Sequence, residues 1–142
     1  MGGYMGKLAW IDLSTGSVKI EEIPEDVQRS YIGGTGLGAY ILRRFPFHKL
    51  DPLGPENVLI FATGPLTGAN VPTSGRYAVI AKSPLTGIWG EADSGGRFGI
   101  ALKAAGFDAI AITGKAPSPS ALAIRTMRSP AGPMQTMAAL LP

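Results

Sequence analysis

The chain has 142 residues, of which 45% are hydrophobic and 16% are charged, and this composition is typical of a folded globular domain rather than a disordered segment. Its formal net charge is +3, but the cations are scattered without interleaved aromatic residues, so nucleic-acid binding is not expected. The absence of cysteine excludes disulfides, thiolate zinc sites and ligation of an iron–sulfur cluster by this chain alone.

Short strands and short helices are predicted along most of the sequence. Alternating or continuous apolar runs indicate strands, whereas acidic or glycine-rich starts and Gly or Pro stops indicate helices. In chain order, the pattern predicts strands at 6–13 and 17–22, helices at 24–32 and 37–45, strands at 57–63 and 76–82, a helix at 97–105, and strands at 108–113 and 121–125. A long loop rich in Gly, Pro and Thr spans residues 64–75.

This mixture of elements predicts an α+β fold with mixed or antiparallel sheets and two or three helices. We place one domain at residues 1–125 and an irregular tail at residues 126–142, because the tail has no acid, no hydrophobic period and three prolines. No apolar run approaches the roughly 18 residues of a membrane span, and the start lacks the apolar core of a signal peptide. A cytoplasmic protein without a membrane-spanning part is therefore expected.

The strongest candidate site combines Arg76 with the sequence Asp93-Ser94-Gly95-Gly96. Two glycines directly ahead of a predicted helix expose backbone N–H groups that a phosphate can approach closely. Asp93 repels a bare phosphate, but a Mg²⁺ ion resolves this conflict because it bridges a protein oxygen and phosphates. Arg76 offers a planar fork of donors for carbonyl or phosphate oxygens. A structural alternative stays open, in which Asp93 or Ser94 caps the helix and Arg76 forms a surface ion pair.

A second glycine cluster, residues 33–38, opens a formal G-x-G-x-x-A at Gly34, Gly36 and Ala39. A dinucleotide fingerprint needs a strand before the glycines and an acid about 20 residues later. Here a helix precedes the cluster and the next acids fall in a loop, so close packing or a sharp bend between two helices is favoured. His48 is the only histidine and has no partner for metal binding or catalysis, so no self-contained catalytic set is found.

Several phrases in a fixed order resemble the N-terminal domain of the aldehyde ferredoxin oxidoreductase family. They are GKLAWIDLSTG, YIGGTGLGAYIL, DPLGPENVLIFATGPLTG, PTSGRYAVIAKSPLTG, ADSGGRFG and LKAAGFDAIAITGKA. The resemblance covers residues 6–116 and fades after Arg125. It implies a partial version of that family's base domain, and part of an oxygen-sensitive oxidoreductase that oxidises aldehydes to carboxylic acids and passes electrons to ferredoxin.

The resemblance also implies a cofactor and the residues that hold it. In that family this domain carries a bis-pterin cofactor with tungsten or, in some members, molybdenum. Arg76, in the GRY phrase, is then implied to lie between the pterin and a [4Fe–4S] cluster. Asp93 is implied to help hold the Mg²⁺ that joins the two pterin phosphates, and Gly95 to add a backbone contact. Ser94 and Gly96, from the same stretch, are also expected to bind the cofactor. Some members have Asn instead of Asp93, and either side chain offers an oxygen to Mg²⁺.

The family's cluster-ligating cysteines and proton-handling residues lie in later domains, so this chain is not expected to be a complete catalyst. We expect as partners a cysteine-bearing remainder of the enzyme or a partner subunit that carries the [4Fe–4S] cluster, and ferredoxin indirectly. Self-association into a homo-oligomer is also expected, because an incomplete domain leaves apolar faces and strand edges uncovered. A truncated version, a frameshifted gene and a split subunit all fit this pattern.

Two other functions stay open at the level of the sequence. One is a non-catalytic, self-associating fragment that binds nothing. The other is a phosphate- or nucleotide-binding module at the glycine cluster of residues 33–38, and Gly36→Val would impair its binding of nucleotide.

Overall fold

A six-stranded sheet flanked by helices forms the centre of the protein. The computed structural model describes residues 3–127 and 135–141, with side chains described for residues 3–124. In chain order the elements are β1 (Lys7–Asp12), β2 (Ser17–Glu22), α1 (Glu25–Tyr31), α2 (Thr35–Leu42), a 3₁₀ turn (Phe47–Lys49), β3 (Leu59–Thr63), β4 (Tyr77–Lys82), β5 (Trp89–Ser94), α3 (Arg97–Ala104), β6 (Ala109–Thr113), β7 (Ala121–Met127) and β8 (Gln135–Leu141).

The strand order in this sheet is β2-β1-β6-β3-β4-β5. Every neighbouring pair is antiparallel except β1 and β6, which are parallel. The sheet is therefore mixed, and the predicted α+β fold is confirmed. Its two outer strands, β2 and β5, each have one edge without a partner strand among the described residues.

The β1–β2 hairpin is closed by the side chain of Asp12. Its Oδ1 accepts the Ser14 N–H at 2.8 Å, and the Thr15 hydroxyl donates to its Oδ2 at 3.0 Å. These donors, the Ser14 N–H first, hold the pKa of the Asp12 carboxyl below its ordinary value of 3.8. Gly16 then takes a φ of +69°, which favours glycine, and the predicted hairpin is confirmed.

Helices α1 and α2 cover one face of the sheet. Their buried side chains and those of the strands form one core cluster, which includes Leu8, Val27, Leu37, Ile41, Ile60 and Ile80. Helix α2 was predicted at residues 37–45 but spans Thr35–Leu42. It begins earlier because Gly34, at φ +52°, already turns the chain into the helix. It ends earlier because Arg44 and Phe45 donate to carbonyls three residues back, which tightens the last turn.

Helix α3 and β7 cover part of the opposite face. The second core cluster lies there and includes Ala9, Ile11, Leu102, Ala105, Phe107 and Ile110. A cavity of about 470 Å³ remains on this face between α3, β6 and β7. Its lining is apolar and includes Phe61, Phe98, Leu102, Ile112, Leu122 and Ile124.

A buried ion pair holds the start of the chain against the turn between α3 and β6. Lys103 Nζ and Asp108 Oδ1 lie 2.5 Å apart, with side chains 6% and 2% exposed. Asp108 Oδ2 also accepts the N–H groups of Met5 at 2.9 Å and Gly6 at 2.6 Å, and Lys103 donates to the Gly3 carbonyl at 2.5 Å. The ammonium and both carboxylate oxygens of the pair therefore have hydrogen-bond partners, as a buried charge requires.

Two strands are described in and beside the segment predicted as an irregular tail, residues 126–142. Strand β7 extends to Met127, and β8 pairs with it in antiparallel register from Ala121↔Leu141 to Met127↔Gln135. The sequence of β8 has no alternation that would have indicated a strand, and its pairing is with the strand before it in the chain. The division into a domain at 1–125 and a tail stays a prediction. Among the described residues, none of the helices has the length and apolar character that crossing a bilayer requires.

Candidate functional site

A cavity of about 470 Å³ lies on the α2 side of the sheet, beside the start of α2 and the ends of several strands. Its lining comes from four separate parts of the sequence: residues 32–35, residues 64–67, residues 73–78 without Gly75, and Asp93. A volume of this size is within the range of ligand pockets in proteins, about 300–1,000 Å³. The cavity therefore brings together loops that are far apart in sequence, and it contains two of the predicted site residues.

Arg76 and Asp93 both line this cavity. Asp93 is paired with Ala78 across β4 and β5, and Arg76 lies two residues before Ala78. Because side chains alternate along a strand, Arg76, Ala78 and Asp93 share one face of the sheet. Both charged side chains are exposed, and neither forms an ion pair with any side chain that the structure describes. The alternative in which Arg76 is a surface ion-pair partner is therefore not supported.

Ser94, Gly95 and Gly96 lie beside the cavity but do not line it. Ser94 ends β5 opposite Tyr77, and Gly96 is the N-cap of α3 at φ +86°, with no side-chain cap. The alternative in which Asp93 or Ser94 caps the helix is thus wrong, because Gly96 is the N-cap and no side chain forms a cap hydrogen bond. A Cβ on Gly95 would lie 3.9 Å from Arg76 Cδ, so the Gly95 backbone is next to the Arg76 side chain.

The glycine cluster forms another wall of the same cavity. The Thr35 hydroxyl at the start of α2 donates to Glu91 Oε1 on β5, and Trp89 Nε1 donates to Glu91 Oε2 at 2.9 Å. This link fixes the first turn of α2 to the strand that carries Asp93. The sequence did not indicate that residues 33–35 and Asp93 share one site.

Three glycines of the cluster, Gly33, Gly36 and Gly38, allow close packing, as predicted. A Cβ on Gly33 would lie 2.7 Å from the Thr63 carbonyl oxygen, and a Cβ on Gly36 or Gly38 would overlap the Tyr31 carbonyl or the Ile80 side chain. Helix α1 precedes the cluster, so the strand of a dinucleotide fingerprint is absent at this place. Gly36→Val cannot test for nucleotide binding, since it would disrupt the contact with Tyr31.

Two further residues of the cavity were missed by the sequence analysis. Thr67 is buried, and its hydroxyl donates to the Arg76 carbonyl at 2.9 Å. Thr73 has a φ of +62°, a conformation that is costly for a β-branched residue. The only signal in the sequence was the density of Gly, Pro and Thr between residues 64 and 75. His48 is exposed in the 3₁₀ turn, and within the described residues no group of three or more His, Asp or Glu side chains could hold a metal.

Outside the cavity, an ion-pair cluster joins the β1–β2 hairpin to the end of α2. Arg44 donates to Glu21 at 2.7 and 3.2 Å, and Trp10 Nε1 donates to Glu21 Oε2 at 2.9 Å. The hydrogen bond from Arg44 is the main cause that holds the pKa of Glu21 below its ordinary value of 4.5. The same bond raises the pKa of Arg44. Arg44 also lies 4.9 Å above the Trp10 ring, so this cluster has a structural role.

Comparison with known proteins identifies the relatives of this chain. The model of the N-terminal domain of aldehyde ferredoxin oxidoreductase matches residues 8–130. The tungsten-containing aldehyde ferredoxin oxidoreductase of Pyrococcus horikoshii is 52% identical over 119 residues, which are 84% of this chain and 20% of that protein. The WOR-like subunit of the aliphatic sulfonate oxidoreductase of Pyrococcus furiosus is 45% identical over 123 residues, which are 84% of this chain and 19% of that protein.

A solved structure has the same fold. It is the active site complex BamBC of benzoyl coenzyme A reductase in complex with 1,5-dienoyl-CoA, with a TM-score of 0.81 and 33% identity. The match covers 84% of this chain and 18% of the matched chain. The chain thus spans about one fifth of the length of these curated relatives.

Proposed function

Because the chain belongs to the aldehyde ferredoxin oxidoreductase family through its N-terminal domain, we propose that it holds the metal–pterin cofactor of such an oxidoreductase. The enzyme would oxidise aldehydes to carboxylic acids with ferredoxin as electron acceptor, and its other parts would come from chain not present here. The observation that carries this proposal is the cavity in which Arg76 and Asp93 face the same space beside a wall of glycines.

The residues present fit a tungsten or molybdenum bis-pterin with Mg²⁺. Asp93 supplies a carboxylate oxygen, which Mg²⁺ prefers, and Arg76 supplies a fork of donors for carbonyl or phosphate oxygens. Neither side chain is occupied by an ion pair with a described residue, so both remain available to a ligand. Gly34 and Gly96 have open space where a Cβ would be, which permits a ligand to approach the backbone.

Each residue has a distinct role in this proposal. Asp93 would hold a Mg²⁺ ion, and Arg76 would donate hydrogen bonds to the pterin and keep a positive charge beside it. The Ser94 hydroxyl and the N–H groups of Gly95 and Gly96 donate to phosphate oxygens at the start of α3. A bound metal–pterin cofactor would supply the redox chemistry of aldehyde oxidation. Proton transfer and the cysteine ligands of a [4Fe–4S] cluster are assigned to other chain, because this sequence has no cysteine.

The proposed partners follow from the uncovered surfaces. Strand β5 has a free edge among the described residues, and the cavity between α3, β6 and β7 is lined by apolar side chains. We propose that a cysteine-bearing remainder of the enzyme, or a partner subunit, covers these surfaces in a cytoplasmic, oxygen-sensitive assembly. Without it, the same surfaces favour association with further copies of the chain.

The test is to purify the chain without oxygen from tungstate-supplied cells and to measure tungsten, molybdenum and pterin per chain. We expect metal and pterin in the wild type, together with a cysteine-bearing partner. Arg76→Ala and Asp93→Ala should each lower the content at least about tenfold, by analogy with groups that support metal sites. Arg29→Ala is the matched control, because Arg29 is an exposed arginine on α1 whose ion pair, within the part of the chain that the structure describes, is with Glu25.

Clean apo-protein without a partner would refute the proposal. If that apo-protein eluted as an oligomer, the result would support the alternative of a self-associating fragment that binds no cofactor.

A further inference from the structure

Thr67 lies where the loop after β3 returns to the start of β4. Its hydroxyl donates to the Arg76 carbonyl at 2.9 Å and accepts the Gly64 N–H at 3.0 Å. The residue is 9% exposed, so water does not readily replace either bond. One hydroxyl thus joins the residue that follows β3 to the residue that precedes β4.

The methyl group of Thr67 packs against helix α3, which lies beside the cavity. A Cβ built on Gly99 of α3 would lie 3.1 Å from Thr67 Cγ2, which shows that the methyl packs closely on the helix backbone. The two functions of the side chain are separate in space: the hydroxyl bonds to the loop and to Arg76, and the methyl packs against α3.

The main chain of Arg76 depends on the Thr67 hydroxyl, because Arg76 lies just outside the ladder of hydrogen bonds between β3 and β4. Pairing between β3 and β4 begins with Thr63↔Tyr77, so Arg76 precedes the first paired residue of β4. Its side chain is exposed and forms no ion pair with the described side chains. The bond from Thr67 therefore holds the Arg76 carbonyl directly, beside the pairing of Tyr77 with Thr63 and Ser94, at the point from which the guanidinium reaches the cavity.

We infer that Thr67 is a positioning residue for Arg76, and that its hydroxyl sets how tightly the site holds a pterin cofactor. The inference rests on the proposed function of Arg76. Thr67 lines the cavity with Arg76, but its hydroxyl already donates its proton to Arg76 and accepts a hydrogen bond from Gly64 within the protein. It acts through the position of Arg76 and does not need to touch the cofactor.

A pair of substitutions separates the hydroxyl from the methyl. Thr67→Val keeps the shape and removes the hydroxyl, whereas Thr67→Ser keeps the hydroxyl and removes the methyl. In protein purified without oxygen from tungstate-supplied cells, Thr67→Val should lower pterin and tungsten per chain about tenfold, the lower end of the effect of removing supporting hydrogen bonds at metal sites. Thr67→Ser should retain more than half of the wild-type content, although it loses the contact with Gly99.

The opposite order would overturn the inference. If Thr67→Ser lost as much cofactor as Thr67→Val, packing against α3 and not the hydroxyl would be the cause. A wild-type content in Thr67→Val would equally overturn it.

A second measurement keeps this inference separate from the proposed function. Hydrogen exchange at the Gly64 N–H should be at least about tenfold faster in Thr67→Val than in Thr67→Ser, because only the serine variant keeps the hydroxyl that accepts this N–H.

If the wild type carried no cofactor, the proposed function would fail, and the role assigned to Thr67 at a pterin site would fail with it. Faster exchange in Thr67→Val would then identify the hydroxyl as a structural link only. Equal exchange in the two variants would refute the link to Gly64 itself.

Discussion

Replacing Asp108 by Asn should be among the most damaging isosteric changes in the domain. The side chain is 2% exposed and serves three donors: the Lys103 ammonium and the N–H groups of Met5 and Gly6. An amide has one accepting oxygen and one donating nitrogen. In either orientation of the amide, a donor therefore faces Lys103 or the two backbone N–H groups.

The expected loss follows from the burial of the pair. Removing one member of a buried ion pair leaves the other charge uncompensated, which costs about 3–5 kcal/mol. Because the amide oxygen keeps part of the hydrogen bonding, we expect Asp108→Asn to lower the free energy of unfolding by about 3 kcal/mol, the low end of that range. For a domain of this size, that loss lowers the melting temperature by roughly 10 °C.

The assay is urea unfolding of the wild type and the variant under identical conditions, with Glu25→Gln as control. Glu25 and Arg29 form an ion pair with side chains 63% and 69% exposed, so breaking it should change stability by less than about 0.5 kcal/mol. Lys103→Met added to Asp108→Asn should recover part of the loss, since it removes the unpaired ammonium. A loss in Asp108→Asn no larger than in Glu25→Gln would refute the reasoning.

Two other changes test the helix packing and the charge cluster. Gly38→Ala should destabilise the protein by about 1–2 kcal/mol in urea unfolding, because the new methyl overlaps the buried Ile80 side chain. Adding Ile80→Val should restore part of that loss, and no recovery would argue against the overlap as the cause. Glu21→Gln should cost less than about 1 kcal/mol at pH 7. The folded-state pKa of Glu21 is lowered by Arg44, so its contribution is present above pH 4.5 and is lost as the pH falls through that lower pKa. A difference between Glu21→Gln and wild type that grows on acidification would contradict this assignment.

The regular elements could be predicted because their signals are local. The β1–β2 hairpin follows from alternation and from the turn residues after Asp12, and α3 follows from the glycines before it and Gly106 after it. Strand β5 was not among the predicted elements; Asp93 and Ser94 at its end have low strand propensity and are held there by pairing with Ala78 and Tyr77. That pairing is a tertiary effect, and no pattern within a short window reports it.

The site was predictable only in part for the same reason. Arg76 and Asp93 were recognised from their residue types and neighbouring glycines, and the structure brings both to one cavity. The contribution of residues 33–35 was not predicted, since a glycine cluster between two helices has a sufficient local explanation as a bend. Thr67 was missed because its importance comes from a carbonyl nine residues later, and a single threonine in a loop carries no signal of that contact.

The backbone of the cavity supplies an argument for function that is independent of Arg76 and Asp93. Among the described residues, Ile32 and Thr73 are the non-glycine positions with positive φ, at +63° and +62°, and both line this cavity. Such conformations cost about 1–3 kcal/mol each and persist where the surroundings fix them. The Ile32 side chain is 62% exposed, so its own burial does not offset the cost. Random packing defects would be scattered over the fold. Strain at two sides of one cavity is a feature that clusters at binding sites, and it adds to the reasons for proposing a ligand at this place.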